Sequence, residues 1–388
     1  MPVKNRFAEL LPEITAWRRD IHENPELLFE VHRTAAKVAG LLRDFGCDEV
    51  VEGIGRTGVV GVIRGRTDGK GRVIGLRADM DALPIHEQTG SPHASKTPGK
   101  MHACGHDGHT AMLLGAAKYL AETRNFDGTA VVIFQPAEEG GGGGREMVAD
   151  GMMERFGIQE VYGMHNMPGI PIGHFAIRPG AMMAAADQFD IVVTGKGGHA
   201  AKPHDCIDTT VVAAHIIVAL QTIASRNVDP LKQVVVSVCT VETDSTAYNV
   251  IPQVVKMKGT VRTMDPGVQD FVQRRLGEVV AGTAQALGAK AELNYMRGYP
   301  VTMNAPDNTR FAAEVARAVS GQVDADAAPL MGAEDFSYML NERPGAYIFL
   351  GNGDTPMVHH PAYEFDDNAI PFGSSWYAGM VETRMPAA

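Results

Sequence analysis

The chain has 388 residues, enough for two or three domains with sizeable cores. Hydrophobic residues make up 45% of it and charged residues 21%, an ordinary globular composition that excludes a largely disordered chain. The net charge of -11, from 46 acidic and 35 basic residues, argues against nucleic acid or an anionic membrane as the main partner, because both attract clustered lysine and arginine.

The N-terminal segment shows the spacing of an amphipathic helix over about 6–22, and a second helix is predicted over about 30–45. It lacks the apolar core and cleavage site of a signal peptide. No stretch approaches the roughly 18 apolar residues needed to span a bilayer. Because the four cysteines are scattered without a disulfide pattern, we expect a soluble protein of the reducing cytoplasm.

Strand-like and helical patterns alternate in the next part of the chain, which predicts an α/β domain with a largely parallel sheet. The apolar runs lie at 57–64, 72–78, 130–134 and 160–164, with a helical segment at 108–123. The glycine run 140–144 lacks the Lys-Ser/Thr ending of a phosphate loop, so we interpret it as a mobile surface loop.

A different order of elements is predicted for residues 186–296, namely strand, helix, strand, strand, helix, strand. The predicted elements are 189–194, 207–225, 233–241, 254–263, 267–287 and 290–296. This βαββαβ order is the one that a small ferredoxin-like domain requires. Helix–strand alternation returns after 300, so residues 1–185 and 297–388 are predicted to form one α/β domain into which residues 186–296 are inserted.

Two residue types that bind metals stand two positions apart at Cys104 and His106. On a helix these side chains would point roughly 200° apart, so they converge only on a turn, where Gly105 supplies a permissive backbone. Asp107 suits the N-cap of the helix that follows. A thiolate and an imidazole are good ligands for zinc or a similar divalent metal, but the pair alone leaves metal binding undecided.

Glu138 and Glu139 follow the strand-like run 130–134, and Pro136 is expected to end that strand. Active sites of parallel sheets lie beyond the carboxyl ends of the strands. Adjacent carboxylates that point differently can divide the work, one binding metal and the other moving protons. Taken alone, however, such a pair is usually two solvated loop acids.

Histidines also follow apolar runs, at His165 and at the pair His359-His360. A lone histidine is more often structural, but several candidates that each follow a strand favour a shared site. Asp79 and Asp81 occupy the same kind of position. They either orient histidine ligands or cap a turn, and their spacing does not decide between the two.

His109 lies one turn into the predicted helix and is interpreted as packing or hydrogen-bonding locally.

At this point the sequence resembles the metallopeptidase-like amidohydrolases that include hippurate hydrolase, N-acyl amino acid deacylases and the plant auxin–amino acid conjugate hydrolases. The resemblance covers nearly the whole chain in order and does not identify the substrate. The matching segments are RRDIHENPEL (18–27), LRADMDALPI (76–85), MHACGHDGHTA (101–111), FQPAEEG (134–140), GMHNMPG (163–169), GKGGHAAKPH (195–204), NVIP (249–252), GTVRT (259–263), MGAEDFSYM (331–339) and HHPAYEFDD (359–367).

The resemblance implies a set of five metal ligands with Glu138 as general base. The implied ligands are Cys104, His106, Glu139, His165 and His359, with His360 as the second choice for the last position. Five ligands exceed one tetrahedral zinc site and suit two divalent ions per subunit with a bridging water. Metal identity stays open among zinc, manganese, cobalt and nickel.

The resemblance also implies that the inserted domain is a dimerisation or lid domain, giving a homodimer or a dimer of dimers. His199 would reach the partner's active site, polarise the scissile carbonyl and stabilise the oxyanion. Asn249 and Arg262 would contact the substrate carboxylate, for which the planar fork of arginine is suited. Without the resemblance, these are an ordinary loop histidine, a strand-capping asparagine and a surface ion-pair arginine.

The predicted activity is metal-dependent hydrolysis of the amide bond of a small N-acyl amino acid, without a covalent intermediate and without a nucleic-acid or membrane partner. A dipeptidase or aminopeptidase is the alternative enzyme, and a non-catalytic metal-stabilised binding protein is the alternative class. Acetyl, benzoyl, succinyl and indole-acetyl groups all stay open, because the shape of the pocket depends on side chains that a sequence does not place.

Overall fold

The computed structural model of the protein describes residues 4–387. Within that range the α-helices are α1 (Asn5–Glu23), α2 (His32–Asp44), α3 (His106–Thr123), α4 (Gly143–Ala149), α5 (Met152–Arg155), α6 (Thr209–Thr222), α7 (Pro266–Ala286), α8 (Pro306–Ser320), α9 (Ser337–Glu342) and α10 (Ile370–Arg384). The strands are β1 (Glu49–Ile54), β2 (Gly58–Arg64), β3 (Val73–Asp79), β4 (Thr129–Gln135), β5 (Glu160–Met167), β6 (Phe175–Ala176), β7 (Gly180–Met183), β8 (Ala185–Thr194), β9 (Gly198–His199), β10 (Val234–Thr243), β11 (Val250–Ile251), β12 (Val254–Thr263), β13 (Lys290–Tyr299), β14 (Thr302–Asn304), β15 (Val323–Asp324) and β16 (Gly345–Gly351).

The chain divides into two compact units. Unit 1 comprises Met1–Met182, Met303–Ala328 and Asp335–Ala388, and unit 2 comprises Met183–Thr302 and Pro329–Glu334. Unit 2 therefore contains the range predicted as inserted, 186–296, but begins earlier, ends later and includes a short segment near residue 330. That segment comes from the part of the sequence that was assigned to the other domain.

The core of unit 1 is an eight-stranded sheet in the order β1-β2-β4-β3-β5-β16-β6-β15. Its central strands β4, β3, β5 and β16 are parallel, whereas β1 and β2 run antiparallel to their neighbours. The central strands are buried almost throughout, as their continuous apolar runs require. The predicted α/β class is confirmed. Strand β1 was missed, because its exposed glutamates break the apolar pattern at the sheet edge.

The carboxyl ends of the central parallel strands meet at one edge of this sheet, as they do in parallel sheets generally. Asp79 ends β3 and Gln135 ends β4, directly before Pro136 as expected. Next to them β5 carries His165 near its end. The candidate site is built at this edge.

Unit 2 contains a four-stranded antiparallel sheet in the order β10-β12-β8-β13. Its main strands and helices follow the order β8, α6, β10, β12, α7, β13, which is βαββαβ. Helices α6 and α7 pack against the sheet and form a core with it, to which Phe189, Ile216 and Leu276 contribute.

One helical segment of the described chain, Thr209–Asn227, is long and apolar enough to cross a membrane, with a mean hydropathy of 1.3. The expectation that no stretch approaches that length was therefore wrong for this segment. Length and composition alone are weak evidence, because core helices of soluble proteins pass the same test. Here Val212, Ile216 and Leu220 of α6 are buried in the core of unit 2.

A buried carboxylate ties the sheet of unit 2 to helix α7. Asp187 on β8 accepts hydrogen bonds from both the amide of Gln269 on α7, at 2.9 and 3.0 Å, and the hydroxyl of Tyr295 on β13, at 2.6 Å. The backbone N–H of Gly298 adds a third donor at 3.0 Å. A buried carboxylate needs such donors, since burial without them is strongly unfavourable.

We predict that Tyr295→Phe lowers the free energy of unfolding by about 1–2 kcal/mol, because Asp187 loses one donor while the ring is kept. Denaturant unfolding measures the change. Tyr248→Phe is the matched control, since Tyr248 is fully exposed and its hydroxyl is solvated in both states. Equal stability of the Tyr295 variant and the wild type would show that this hydrogen bond contributes nothing.

Candidate metal centre

Cys104 and His106 are brought together by a left-handed turn at Gly105, whose φ is 86°. Helix α3 begins at His106, so the N-cap residue is Gly105 and the expectation that Asp107 caps the helix was wrong. The left-handed glycine turns the chain into the helix two residues earlier than predicted. Asp107 lies in the first helical turn, where its carboxylate accepts a hydrogen bond from His22 at 2.8 Å.

Two overlapping sets of metal-binding atoms share the thiol of Cys104. The ligand atoms of Cys104, His106 and His165 lie within 4.8 Å of one another, and so do those of Cys104, Glu139 and His359. The Cys104 sulfur is 3.3 Å from Nε2 of His165. On the other side, Nε2 of His359 is 3.2 Å from Oε1 of Glu139. All five residues predicted as ligands therefore converge in unit 1.

Glu138, the predicted general base, is buried beside these two sets. Its carboxylate forms a third group within 4.8 Å with His106 and Glu139. The turn that presents both glutamates is held by Asp81, whose carboxylate accepts the backbone N–H of Glu138 at 2.9 Å and of Glu139 at 3.1 Å. Asp81 also accepts a hydrogen bond from Nδ1 of His106 through its backbone carbonyl, at 2.8 Å.

The glycine run packs against this turn. Gly142, Gly143 and Gly144 are buried, and the last two begin α4. A Cβ atom on Gly143 would lie 1.7 Å from the carbonyl oxygen of Pro136. The interpretation as a surface loop was therefore wrong for these three residues, and at Gly143 the backbone approaches the Pro136 carbonyl more closely than any side chain allows.

His109 takes part in long-range hydrogen bonds, contrary to its interpretation as a locally bonded helix residue. Its Nδ1 lies 2.7 Å from the carboxylate of Asp79, and its Nε2 accepts the backbone N–H of Asn166 at 2.9 Å. Asp79 is also paired with Arg77 at 2.7 Å. Although Asp79, His106 and His109 form another group within 4.8 Å, both nitrogens of His109 are already bonded to the protein.

The residues present fit a divalent metal. Nε2 of His106 is buried and has no hydrogen-bond partner anywhere in residues 4–387, which is unusual for a buried ring nitrogen. His106 is a member of the first donor set. Thiolate, imidazole and carboxylate groups are the ligands that zinc and similar metals take from proteins.

The electrostatics of the site also favour a cation. Burial raises the pKa of the Cys104 thiol well above its usual value, and the nearby carboxylates of Glu139 and Glu138 raise it further. Burial lowers the pKa of His106, but Asp79 and the other carboxylates outweigh it and raise that pKa to about 10. Negative charge therefore exceeds positive charge here, and a metal ion would compensate it.

Geometry favours His359 over His360. The φ of His359 is 70°, its backbone N–H donates to the carbonyl of Ala103 at 2.7 Å, and its ring faces Glu139. Both histidines are exposed, but Nδ1 of His360 accepts a hydrogen bond from the backbone N–H of Ala362 at 3.0 Å instead. The backbone bond to Ala103 ties the histidine loop to the residue before Cys104.

The remaining candidates, His199, Asn249 and Arg262, lie in unit 2. His199 is exposed on β9, where it pairs with Val250, and the backbone carbonyl of Asn249 accepts the N–H of Ala200 at 2.9 Å. His199 and Asn249 are thus neighbours. Arg262 is half-buried on β12 of the four-stranded sheet and donates to the carbonyl of Val261 at 3.1 Å. Their roles stay predictions.

Asn166 and Tyr363 also belong to the site, although sequence reasoning did not single them out. The amide of Asn166 contacts the backbone of Cys104, and the hydroxyl of Tyr363 donates to that amide at 2.7 Å. Both residues stand inside matching segments next to predicted ligands, which is the only sequence signal that points to them. Nothing in an isolated asparagine or tyrosine indicates such a contact.

Comparisons with known proteins agree with this geometry. A family model described as "Peptidase family M20/M25/M40" matches residues 75–383. The chain is 43% identical to a hippurate hydrolase of Campylobacter jejuni, over 95% of this chain and 96% of that one. It is 40% identical to an N-acetylcysteine deacetylase of Bacillus subtilis, over 93% and 94%.

A solved structure from Bacillus subtilis, described as a dinuclear metal-binding peptidase from the M20 family, is also similar. It superposes with a TM-score of 0.85 at 36% identity and covers 97% of this chain and 99% of that one.

We predict that His359→Ala removes at least one equivalent of bound metal, because the donor set with Cys104 and Glu139 loses a member. His360→Ala, one residue further on, is the matched control and should keep the wild-type metal content. Elemental analysis of the purified, metal-loaded proteins measures both. Loss of metal from the His360 variant alone would reverse the assignment.

Proposed function

The chain belongs to peptidase family M20/M25/M40 and is an amidohydrolase, and we propose that it hydrolyses the amide bond of N-acyl amino acids to release a carboxylic acid and a free amino acid. Acyl groups of the acetyl and benzoyl type are those named in the similar hippurate hydrolase and deacetylase. The observation that supports this most directly is the pair of donor sets joined at Cys104, with Glu138 beside them.

The proposed cofactor is a pair of divalent ions per subunit, drawn from zinc, manganese, cobalt and nickel. One ion would be held by Cys104, His106 and His165, and the other ion by Cys104, Glu139 and His359. Divalent ions supply Lewis acidity, which polarises a carbonyl group and acidifies water. As a thiolate committed to metal, Cys104 is not available as a nucleophile, so no covalent acyl-enzyme is proposed.

Glu138 is the proposed general base. It is buried and lies next to the donor sets without completing either of the two that share Cys104. Its carboxylate would take a proton from the attacking water and then deliver a proton to the nitrogen of the leaving amine. Asp81 accepts the backbone N–H of Glu138 and so holds the turn from which this carboxylate projects.

For unit 2 we propose that His199 donates a hydrogen bond to the developing oxyanion in the partner subunit's active site, with Asn249 and Arg262 near the substrate carboxylate. Exposure of His199 supports this, since a donor that serves another subunit has to be accessible in the single chain. We also propose a homodimer formed through unit 2, and a cytoplasmic location, which the free cysteines support.

The substrate class is tested by turnover of the metal-loaded enzyme on N-acetyl, N-benzoyl and N-succinyl amino acids beside unblocked dipeptides. We expect the acylated amino acids to be hydrolysed with the higher kcat/KM. The relative described as a peptidase favours the alternative, a dipeptidase or aminopeptidase. Preference for dipeptides would establish that alternative. If the metal-loaded protein hydrolysed none of these compounds, the conclusion would be that it is a metal-stabilised binding protein.

We predict that Glu138→Gln keeps the full metal content and lowers kcat by about 10²–10⁴-fold, the usual range for loss of a general base. Steady-state kinetics and elemental analysis on the same preparation measure the two effects. Glu146→Gln, a nearby change in α4, is the matched control and should retain activity. Near-normal turnover by the Glu138 variant with full metal occupancy would mean that another group moves the proton.

We predict that His199→Ala lowers kcat by about 10²–10³-fold with metal content unchanged, as expected for loss of an oxyanion donor. Action across a dimer adds a sharper test. When inactive His199→Ala and inactive Glu138→Gln proteins exchange subunits, each mixed dimer has one intact site, so about one quarter of wild-type activity should return. No recovery despite demonstrated subunit exchange would contradict action in the partner's site.

A further inference from the structure

The side-chain amide of Asn166 joins three parts of the candidate site. Its Nδ2 lies 2.6 Å from the backbone carbonyl of Cys104 and 3.0 Å from Nε2 of His109. Its Oδ1 accepts a hydrogen bond from the hydroxyl of Tyr363 at 2.7 Å. Asn166 is completely buried on β5, so no water competes for these hydrogen bonds.

The orientation of this amide follows from its neighbours. The carbonyl of Cys104 is only an acceptor, so it has to face the NH₂ group of Asn166. Nε2 of His109 accepts the backbone N–H of Asn166, which is always a donor, and it is therefore the unprotonated ring nitrogen. Nδ1 of His109 then carries the proton that it donates to Asp79. The NH₂ group of Asn166 thus faces two acceptors, and a flipped amide would place its oxygen against both of them and lose the two contacts that Nδ2 makes.

The amide also lies directly against the turn between two proposed ligands. A Cβ atom added to Gly105 would be 2.3 Å from Nδ2 of Asn166 and 2.4 Å from the hydroxyl of Tyr363. Gly105, in its left-handed conformation, therefore packs against the side-chain amide of Asn166. The same amide donates a hydrogen bond to the carbonyl of the preceding residue, Cys104. Any movement of that carbonyl changes the direction of the Cys104 side chain relative to His106.

We propose that Asn166 is a positioning residue that fixes the Cys104–Gly105–His106 turn and thereby determines how tightly the site holds divalent metal. This inference rests on the proposed function. Because Cys104 is common to both donor sets, an error in its direction weakens both at once. Partners behind metal ligands commonly change metal affinity by about 10–100-fold, and we expect an effect of that size here.

The test uses Asn166→Ala and Asn166→Asp with cobalt(II) as the probe. Alanine removes both donors, and aspartate keeps the volume while placing an acceptor against the Cys104 carbonyl. We expect the dissociation constant for cobalt to rise about 10–100-fold in both variants. The thiolate-to-cobalt charge-transfer absorption should weaken or shift in the loaded protein, since it reports the Cys104–metal contact.

Asn308→Ala is the matched control, because Asn308 is also a buried, hydrogen-bonded asparagine of unit 1 but bonds to Tyr162 and Glu160 instead. It should keep the wild-type cobalt affinity and spectrum even where it lowers the unfolding temperature of the metal-free protein. If the alanine variant does not fold, the aspartate variant decides the question.

Two outcomes separate this inference from the proposed function. Wild-type cobalt affinity and spectrum in the Asn166 variants would overturn the inference alone. A wild-type charge-transfer absorption that survives Cys104→Ser would overturn the metal assignment and this inference with it. Failure of both Asn166 variants to fold, while Asn308→Ala folds, would show that the side chain serves the fold and would also overturn the inference.

Discussion

Buried negative charge at the carboxyl edge of the large sheet is the constraint on which the rest of the site depends. The carboxylates of Asp79, Asp81, Glu138 and Glu139 all lie there with little or no exposure to water. An unpaired buried carboxylate is strongly unfavourable, so each one has to be matched by donors or by a cation. Some of these carboxylates are matched by hydrogen-bond and ion-pair partners within the protein, and the others would be matched by the proposed metal ions.

The partners within the protein serve the two aspartates. Asp79 is paired with Arg77 and His109, and Asp81 accepts backbone N–H groups of the glutamate turn. These aspartates are therefore already compensated and act as supports. The carboxylate of Glu139 lies 3.2 Å from Nε2 of His359 and 4.0 Å from Nε2 of His106, and it also contacts the Cys104 thiol. Its neighbours are thus other proposed ligands, which leaves it suited to a metal. The same fold thus holds carboxylates with different tasks within one small region.

Three of the five proposed ligands, Cys104, Glu139 and His359, lie on irregular backbone, whereas His106 begins α3 and His165 lies on β5. Gly105, Ala137 and His359 all adopt positive φ beside or at a proposed site residue. For a residue other than glycine this costs about 1–3 kcal/mol and persists only where the surroundings enforce it. Here the surroundings enforce it through Asp81, which follows the end of β3, through Asn166 on β5, and through the glycine run that packs against the glutamate turn.

The sequence by itself determined the α/β class and nearly all the central strands, because apolar periodicity is a local property. The set of five candidate ligands came from the resemblance of the whole sequence to a family, since residue chemistry alone left each candidate undecided. The sequence also placed the end of β4 at Pro136. Local patterns did not reveal that α3 begins at His106, that His109 bonds Asp79, or that Asn166 holds the Cys104 turn. Those facts depend on residues far apart in the chain that meet only when the strands align, so the tertiary structure alone decided them.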